Sequence, residues 1–180
     1  MKQPPLNIHL EKVTDGNVDE LLKLRITKEQ REFVASNQQS LVDAYLSLTE
    51  GKPVFPFGIY NGKTPVGFLM IDYRNDWSGY RHEAWLGSDV YKFYQGKPFY
   101  YVWRFMIDKK YQGRGYGRES LKLALEFVRT APCGEAEYCV LSYDPKNEVA
   151  KKLYFSLGFV ELNEPGYYED GNEVSAVLNL

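Results

Sequence analysis

The sequence is poor in the side chains that build disulfide frameworks and metal sites. It contains two cysteines, Cys133 and Cys139, and two histidines, His9 and His82, among 180 residues. The cysteine spacing fits neither a disulfide framework nor a zinc site. Two histidines far apart in sequence offer little to a metal centre or to a histidine-based catalytic triad. We therefore expect reduced, buried thiols and no bound metal.

Long apolar runs and an excess of one charge are also lacking. No segment approaches the roughly 20 apolar residues that a membrane span requires. Residues 1–5 do not lead into the apolar stretch of a signal peptide. The 22 basic residues nearly balance the 24 acidic ones, which leaves a net charge of −2 and no general attraction to nucleic acid or to anionic membrane. These absences predict a cytoplasmic protein with neither a nucleic-acid nor a membrane partner.

The composition that is present predicts a folded protein. Hydrophobic residues make up 44% of the chain and charged residues 26%, which is sufficient for one ordinary hydrophobic core. We expect a single domain over residues 1–180. The 15 tyrosines exceed what a core of this size needs, so we expect some of them to line a site.

Hydrophobic periodicity predicts the order β-α-α-β-β-insertion-β-α-β-α-β-β, which is an α/β (α+β) fold. A mixed, mostly antiparallel central sheet of about seven strands would then be flanked by helices. The predicted strands cover residues 6–10, 55–60, 65–73, 100–107, 137–143, 159–168 and 174–180. The predicted helices cover residues 18–25, 41–48, 117–129 and 145–157.

Local signals predict where these helices begin. Asn17, Ser40 and Asp144 are the expected N-caps of the first, second and fourth helices, with Pro145 in the first turn of the fourth. The segment 27–39 is polar and predicts a loop.

Two turns and one insertion complete the predicted architecture. Asn61-Gly62 favours a β-hairpin with a type I′ turn, in which both central residues have positive φ. Glu169-Asp170-Gly171-Asn172 favours a second hairpin. Residues 74–98 are too long and too aromatic for a turn, and predict a folded insertion.

A glycine-rich junction between a predicted strand and a predicted helix points to an anion site. It reads Gln112-Gly113-Arg114-Gly115-Tyr116-Gly117. Glycines let backbone N–H groups approach a ligand, and the following helix N-terminus adds free donors and positive potential. Residues 104–118 carry a local charge of +4. The Rossmann and P-loop spacings are not met. The loop therefore predicts phosphate binding, with a purely structural tight turn as the alternative.

A second pattern follows about 30 residues later. Asn147 and Tyr154 are seven residues apart, so both can project from one side of a helix. Alone, they would be read as a capping asparagine and a core tyrosine.

Together the two patterns resemble the GNAT superfamily of acetyl-CoA-dependent N-acyltransferases. The family motif Gln/Arg-x-x-Gly-x-Gly/Ala is matched by residues 112–117. The family's downstream Asn, Tyr and Gly-Phe are matched by Asn147, Tyr154, Gly158 and Phe159. The predicted order of elements is also the family's, so the resemblance covers most of the chain and implies the acyl-CoA N-acyltransferase fold.

The resemblance implies a cosubstrate and a role for each matched residue. Acetyl-CoA would donate its acetyl group directly to an amine, without an acyl-enzyme. Tyr154 would act as general acid toward the leaving thiolate. Asn147 would bind the pantetheine amides. The strand residues Phe105, Met106 and Ile107 would pair with the pantetheine arm and polarise the thioester carbonyl. The pyrophosphate would be held by Gln112, Gly113, Arg114, Gly115, Tyr116, Gly117 and Arg118.

An alkyl amine has a pKa near ~10.4, so a group that accepts its proton is required at neutral pH. The candidates for this role or for binding the amine are five carboxylates, Glu29, Glu32, Asp72, Glu83 and Asp89. Each could equally be a solvated surface group. Aromatic rings of the insertion could enclose a cationic acceptor.

Within the superfamily, residues 26–34 and 168–172 resemble the bacterial spermine/spermidine acetyltransferases. This implies a polyamine acceptor, although the insertion at 74–98 departs from those proteins where the acceptor pocket would be walled. The open alternatives are a protein N-terminus or lysine, an aminoglycoside or an amino acid as acceptor. A further alternative is an acyl-CoA-binding module without turnover. The family also implies a possible homodimer.

Overall fold

A computed structural model describes residues 6–75, 96–162 and 173–180 of the chain. The described strands are β1 Ile8–Lys12, β2 Val54–Asn61, β3 Thr64–Arg74, β4 Phe99–Ile107, β5 Tyr138–Tyr143, β6 Val160–Glu161 and β7 Val174–Asn179. The described α-helices are α1 Val18–Leu21, α2 Asn37–Thr49, α3 Tyr116–Arg129 and α4 Glu148–Phe155, with a 3-10 helix at Glu29–Glu32.

The described strands form one seven-stranded sheet in the order β1-β2-β3-β4-β5-β7-β6. All neighbours run antiparallel except β4 and β5, which are parallel. The predicted mixed, mostly antiparallel sheet with flanking helices is confirmed. The parallel pair requires a crossover connection, and α3 supplies it.

The helices cover the two faces of the sheet. The predicted apolar stripe of α3 is confirmed, because its residues are buried in the same core as Tyr154 of α4: Leu121, Ala124, Leu125 and Val128. On the opposite face, Leu21 of α1 and Ala44 of α2 pack with Phe68 and Met70 of β3. Within the described ranges, no helix is long and apolar enough to cross a membrane.

Strands β4 and β5 separate halfway along β4. Their pairing runs from Phe99 opposite Tyr138 to Val102 opposite Leu141 and stops there. On its other side, β4 stays paired with β3 as far as Ile107, with an irregular register around Trp103. Such a bulge increases the local twist of a strand. The second half of β4 is therefore fixed by β3 alone, and the sheet opens on the β5 side.

The predicted N-caps of two helices were wrong. The N-cap of the second helix lies four residues before Ser40, at Ser36, which accepts a hydrogen bond from the Gln39 backbone N–H at 3.1 Å. Ser40 is instead fully buried, and its hydroxyl donates to the Ser36 carbonyl. In the fourth helix, the N-cap is Asn147, not Asp144. The two true caps have the same preferred residue types as the predicted ones, so residue type could not decide between them.

The first helix is shorter than predicted and ends at Leu21 instead of residue 25. The chain leaves the helix because the Arg25 backbone N–H donates to the buried carboxylate of Asp108 at 2.7 Å, just beyond β4. Asn17 holds the N-cap position, but its side chain accepts from the Thr14 N–H. The predicted loop 27–39 contains the 3-10 helix and the start of α2.

The first hairpin is confirmed, but its turn lies one residue later than predicted. Asn61 is paired with Thr64, so the two turn residues are Gly62 and Lys63. Gly62 has φ of +59°, whereas Asn61 has no positive φ. Antiparallel pairing of β6 with β7 is also confirmed, although β6 has two residues. The second predicted turn, Glu169–Asn172, and residues 76–95 of the predicted insertion lie outside the described residues.

Replacing Gly67 with Ala is expected to lower the free energy of unfolding by about 1–3 kcal/mol, because β3 and β4 approach closely there. An added Cβ would lie 2.5 Å from the Met106 carbonyl oxygen and 2.9 Å from the Ile107 Cδ1 atom. Urea unfolding measures the loss. Gly16→Ala is the control, because its nearest neighbour would lie at 3.7 Å. Equal stability of the two variants would contradict the close approach.

Glu161 of β6 ties α4 to the sheet and makes stability depend on pH. Its carboxylate accepts from the Tyr143 hydroxyl and pairs with Lys151 Nζ at 2.9 Å. Burial acts to raise the pKa of Glu161, but the hydrogen bonds from Tyr143 and Lys151 prevail and hold it below its ordinary value of 4.5. The stabilisation is therefore present above the unfolded-state pKa and is lost as the pH falls through the folded-state pKa.

Glu161→Gln is accordingly expected to lower the free energy of unfolding at pH 7 by about 1 kcal/mol. The difference from the wild type should shrink as the pH is lowered below 4.5. Urea unfolding at a series of pH values measures this. Tyr143→Phe, which removes one donor only, should show a smaller change of the same kind. A difference that does not vary with pH would refute the role of the ionised carboxylate.

Candidate functional site

The opening between β4 and β5 forms a cavity of about 620 Å³. Residues from both faces of the sheet line it. From the side of α3 and α4 come Tyr116, Gly117, Asn147 and Tyr154. From the other side come the segment before α2, Tyr101, Ser142 and Glu173. The cavity therefore passes through the sheet, and a ligand bound from one face can meet a ligand bound from the other.

The open edge of β4 forms one wall of the cavity. Phe105, Met106 and Ile107 line it, as the sequence predicts. Their backbone groups on the β3 side are taken by the ladder, whereas β5 offers no pairing beyond Val102. Backbone N–H and C=O groups need partners. An extended amide-containing ligand could supply them by adding to the edge as a strand does.

The glycine loop lies at one end of this wall. Gly113 and Gly115 have φ of +73° and +83°, a left-handed conformation that favours glycine. Gly115 is also the N-cap of α3 and brings no side-chain cap. The first N–H groups of α3 consequently have no capping side chain, and residues 115–118 line the cavity. A helix N-terminus of this kind favours an anion.

Gln112 braces this loop. Its side-chain amide donates to the Ile107 carbonyl at 2.8 Å and to Gln30 Oε1 at 2.9 Å. The loop is thus tied both to the end of β4 and to the 3-10 helix on the opposite face. The two arginines of the loop region differ. Arg118 lines the cavity and bonds Ser156, whereas Arg114 lies outside the cavity over the Tyr111 ring.

Helix α4 places Asn147 and Tyr154 on the same cavity. Asn147 Oδ1 caps the helix by accepting from the Ala150 N–H at 3.1 Å. Tyr154 lies two turns further on and is 7% exposed, with its ring packed against Tyr143 and Phe159. Burial raises the pKa of Tyr154, and Tyr101 and Glu173 raise it further. The hydroxyl therefore keeps its proton at neutral pH and can donate it.

A chain of hydrogen bonds lies on the opposite side of the opening. The Tyr101 hydroxyl and Ser142 Oγ are 2.7 Å apart, and Ser142 Oγ donates to the Glu173 carboxylate. Neighbouring strands position these groups, because β4 pairs with β5 and β5 pairs with β7. All three residues line the cavity.

The five predicted carboxylates lie in different places. Glu32 lines the cavity, whereas Glu29 and Asp72 do not. The Asp72 carboxylate is nearly buried and is held by Arg74 Nε and Nη2, the latter at 2.8 Å. Burial raises the pKa of Asp72 against the opposing effect of Arg74. Glu83 and Asp89 lie outside the described residues.

Sequence reasoning missed Ser142, Glu173 and Gln30. The first two approach each other because β7 inserts between β5 and β6, and no local pattern reports that strand order. Gln30 bonds to Gln112 of the glycine loop, although the two residues are 82 positions apart in the sequence. Within residues 6–75, 96–162 and 173–180, no three His, Cys, Asp or Glu side chains gather as metal ligands would.

This chain is similar to known proteins over most of its length. A spermine/spermidine N(1)-acetyltransferase of Bacillus subtilis (strain 168) is 28% identical over 158 residues, which cover 86% of this chain and 88% of the relative.

Two solved structures share the fold. A spermidine N-acetyltransferase from Vibrio cholerae, in complex with CoA and spermine, superposes with a TM-score of 0.63 at 16% identity, over 96% of this chain and 95% of that one. A Salmonella typhimurium acetyltransferase that modifies the N-terminal serine of ribosomal protein L7/L12 superposes with a TM-score of 0.67 at 12% identity, over 97% and 95%.

The family model for the acetyltransferase (GNAT) family matches residues 22–159, which include the open β4 edge, the glycine loop and α4. The chain therefore belongs to the GNAT acetyltransferase family.

Proposed function

We propose that this acetyltransferase transfers the acetyl group of acetyl-CoA to a primary amine of a small polycation, with spermine and spermidine as the foremost acceptors. The observation that carries the proposal is the cavity that passes through the sheet between β4 and β5. It offers a thioester on one face to an amine on the other. A direct transfer requires such an arrangement, because both reactants must meet at one point.

The donor half of the cavity fits acetyl-CoA. The open β4 edge at Phe105, Met106 and Ile107 would bind the pantetheine amides, together with Asn147. The N–H groups at Gly113–Gly117 and the N-terminus of α3 would bind the pyrophosphate, with Arg118 beside them. Gln112 positions the loop through its two hydrogen bonds. The Vibrio cholerae neighbour, solved with CoA, supports the same cosubstrate.

Tyr154 is the proposed general acid. When the amine attacks, the carbon–sulfur bond breaks and the sulfur leaves as a thiolate that needs a proton. The Tyr154 hydroxyl has no hydrogen-bond partner among the described residues, and its raised pKa keeps it protonated. Such a group can give its proton to the sulfur and take one back from solvent.

The relatives support a polyamine, and the cavity lining allows a second candidate. Glu32 and Glu173 could attract an ammonium group, whereas Arg31 and Arg104 line the same cavity. These two guanidinium groups could donate to the carbonyl oxygens of a peptide acceptor. The Salmonella typhimurium neighbour modifies the N-terminal serine of a ribosomal protein. A protein N-terminus is therefore the second candidate acceptor.

Thiol release from acetyl-CoA, measured across amine acceptors, tests the proposal. The panel holds spermine, spermidine, lysine, an aminoglycoside and a short peptide with a free N-terminus. We expect turnover with the polyamines, and Tyr154→Phe should lower kcat about 100-fold or more while leaving the Kd for CoA unchanged.

Lys122→Gln on α3 is the matched control, because Lys122 does not line the cavity and its amine pairs with Glu119 on the same helix. Turnover with the peptide alone would replace the polyamine by a protein acceptor. Binding of CoA without turnover of any acceptor would favour a non-catalytic module. Unchanged kcat in Tyr154→Phe would remove this residue from the chemistry.

A further inference from the structure

We propose that the Glu173 carboxylate accepts the proton of the attacking amine, and that Ser142 and Tyr101 form the hydrogen-bonded path to it. Nothing in the family motifs points to these three residues. The inference rests on the acetyl transfer proposed above and assigns the proton acceptor that this transfer requires.

The hydrogen bonds of the path have a single direction. Ser142 Oγ carries one proton and donates it to Glu173. The bond of 2.7 Å between Ser142 Oγ and the Tyr101 hydroxyl is therefore donated by Tyr101. Tyr101 lines the cavity, so the path begins at the cavity wall. A proton that arrives at Tyr101 can thus move to Ser142 and on to Glu173 by successive transfers along existing hydrogen bonds.

Glu173 has no cationic partner among the described residues, in contrast to three other carboxylates. Asp72 is paired with Arg74, Asp43 with Arg104, and Glu161 with Lys151. Glu173 instead receives the Ser142 hydroxyl. Its carboxylate is therefore linked through hydroxyls to the cavity that would hold the amine.

Glu173 and Tyr154 lie on opposite sides of the opening and interact electrostatically. This separation lets one residue accept a proton from the amine while the other donates a proton to the sulfur. The ammonium group of the acceptor first loses one proton, which passes to Glu173 and leaves a neutral amine. The amine nitrogen then forms a bond to the acetyl carbon, the carbon–sulfur bond breaks, and the sulfur takes a proton from Tyr154. The second proton of the nitrogen passes to solvent as the amide forms, and solvent restores Glu173 and Tyr154 after product release.

Other charged or titratable groups share this part of the cavity and would contribute to its pH dependence. They are Arg31 and Glu32 before α2, Tyr101 and Arg104 on β4, Asp144 after β5 and Tyr154 on α4. Glu32 lacks the path of hydroxyls that leads to Glu173, so it serves as the comparison carboxylate.

The test is the pH profile of kcat for Glu173→Gln. The acceptor is spermine or, if a different amine of the panel is turned over instead, that amine. Glutamine keeps an oxygen that can accept from Ser142 but cannot take a proton. We expect kcat to fall about 100-fold near pH 7 with KM for acetyl-CoA unchanged. The loss should shrink as the pH rises toward the pKa of the amine, because a neutral amine needs no proton acceptor. Ser142→Ala should show a smaller loss of the same form.

Glu32→Gln should instead raise KM for the amine without changing the shape of the pH profile. A loss in Glu173→Gln that is the same at every pH, or a change in KM alone, would overturn the role of Glu173 while leaving acetyl transfer intact. If the wild type turns over no acceptor, the proposed function fails, and the assignment of Glu173 fails with it.

Discussion

The separation of β4 from β5 is the feature on which the site depends. The two strands are parallel and pair over four residues each, after which the second half of β4 is held by β3 alone. Backbone groups that a continuous sheet would use internally are thereby offered to a ligand. The same opening joins the two faces of the sheet in one cavity. The open strand edge and the passage through the sheet thus have a common origin.

Contacts between side chains far apart in the sequence hold the elements around the opening in place. Asp108 fastens the chain after β4 to the end of the first helix, through the Arg25 N–H. Gln112 joins the glycine loop to Gln30 on the other face. Glu161 ties α4 to β6 through Lys151. Each contact joins two elements that lie around the opening, so side chains far apart in the sequence hold its walls together.

Much of this was predictable from the sequence, because strong local signals carry it. Alternating and helical periodicities predicted every described strand and α-helix. The glycine loop predicts an anion site from its sequence alone. The caps at Ser36 and Asn147 were not predictable, since several equally good capping residues stand nearby. The contact of Ser142 with Glu173 could not be foreseen either, because it depends on β7 lying between β5 and β6. Residue type predicts local structure, whereas the order of strands is decided by packing of the whole chain.

The most direct test of the central claim is amide hydrogen–deuterium exchange with and without saturating CoA. If the open edge of β4 binds the cosubstrate, exchange should slow at residues 103–107 and in the loop 113–118, while the interior of β2 stays unchanged. Binding of CoA without protection of residues 103–107 would contradict the account, because the separation of β4 from β5 would then have no part in holding the donor.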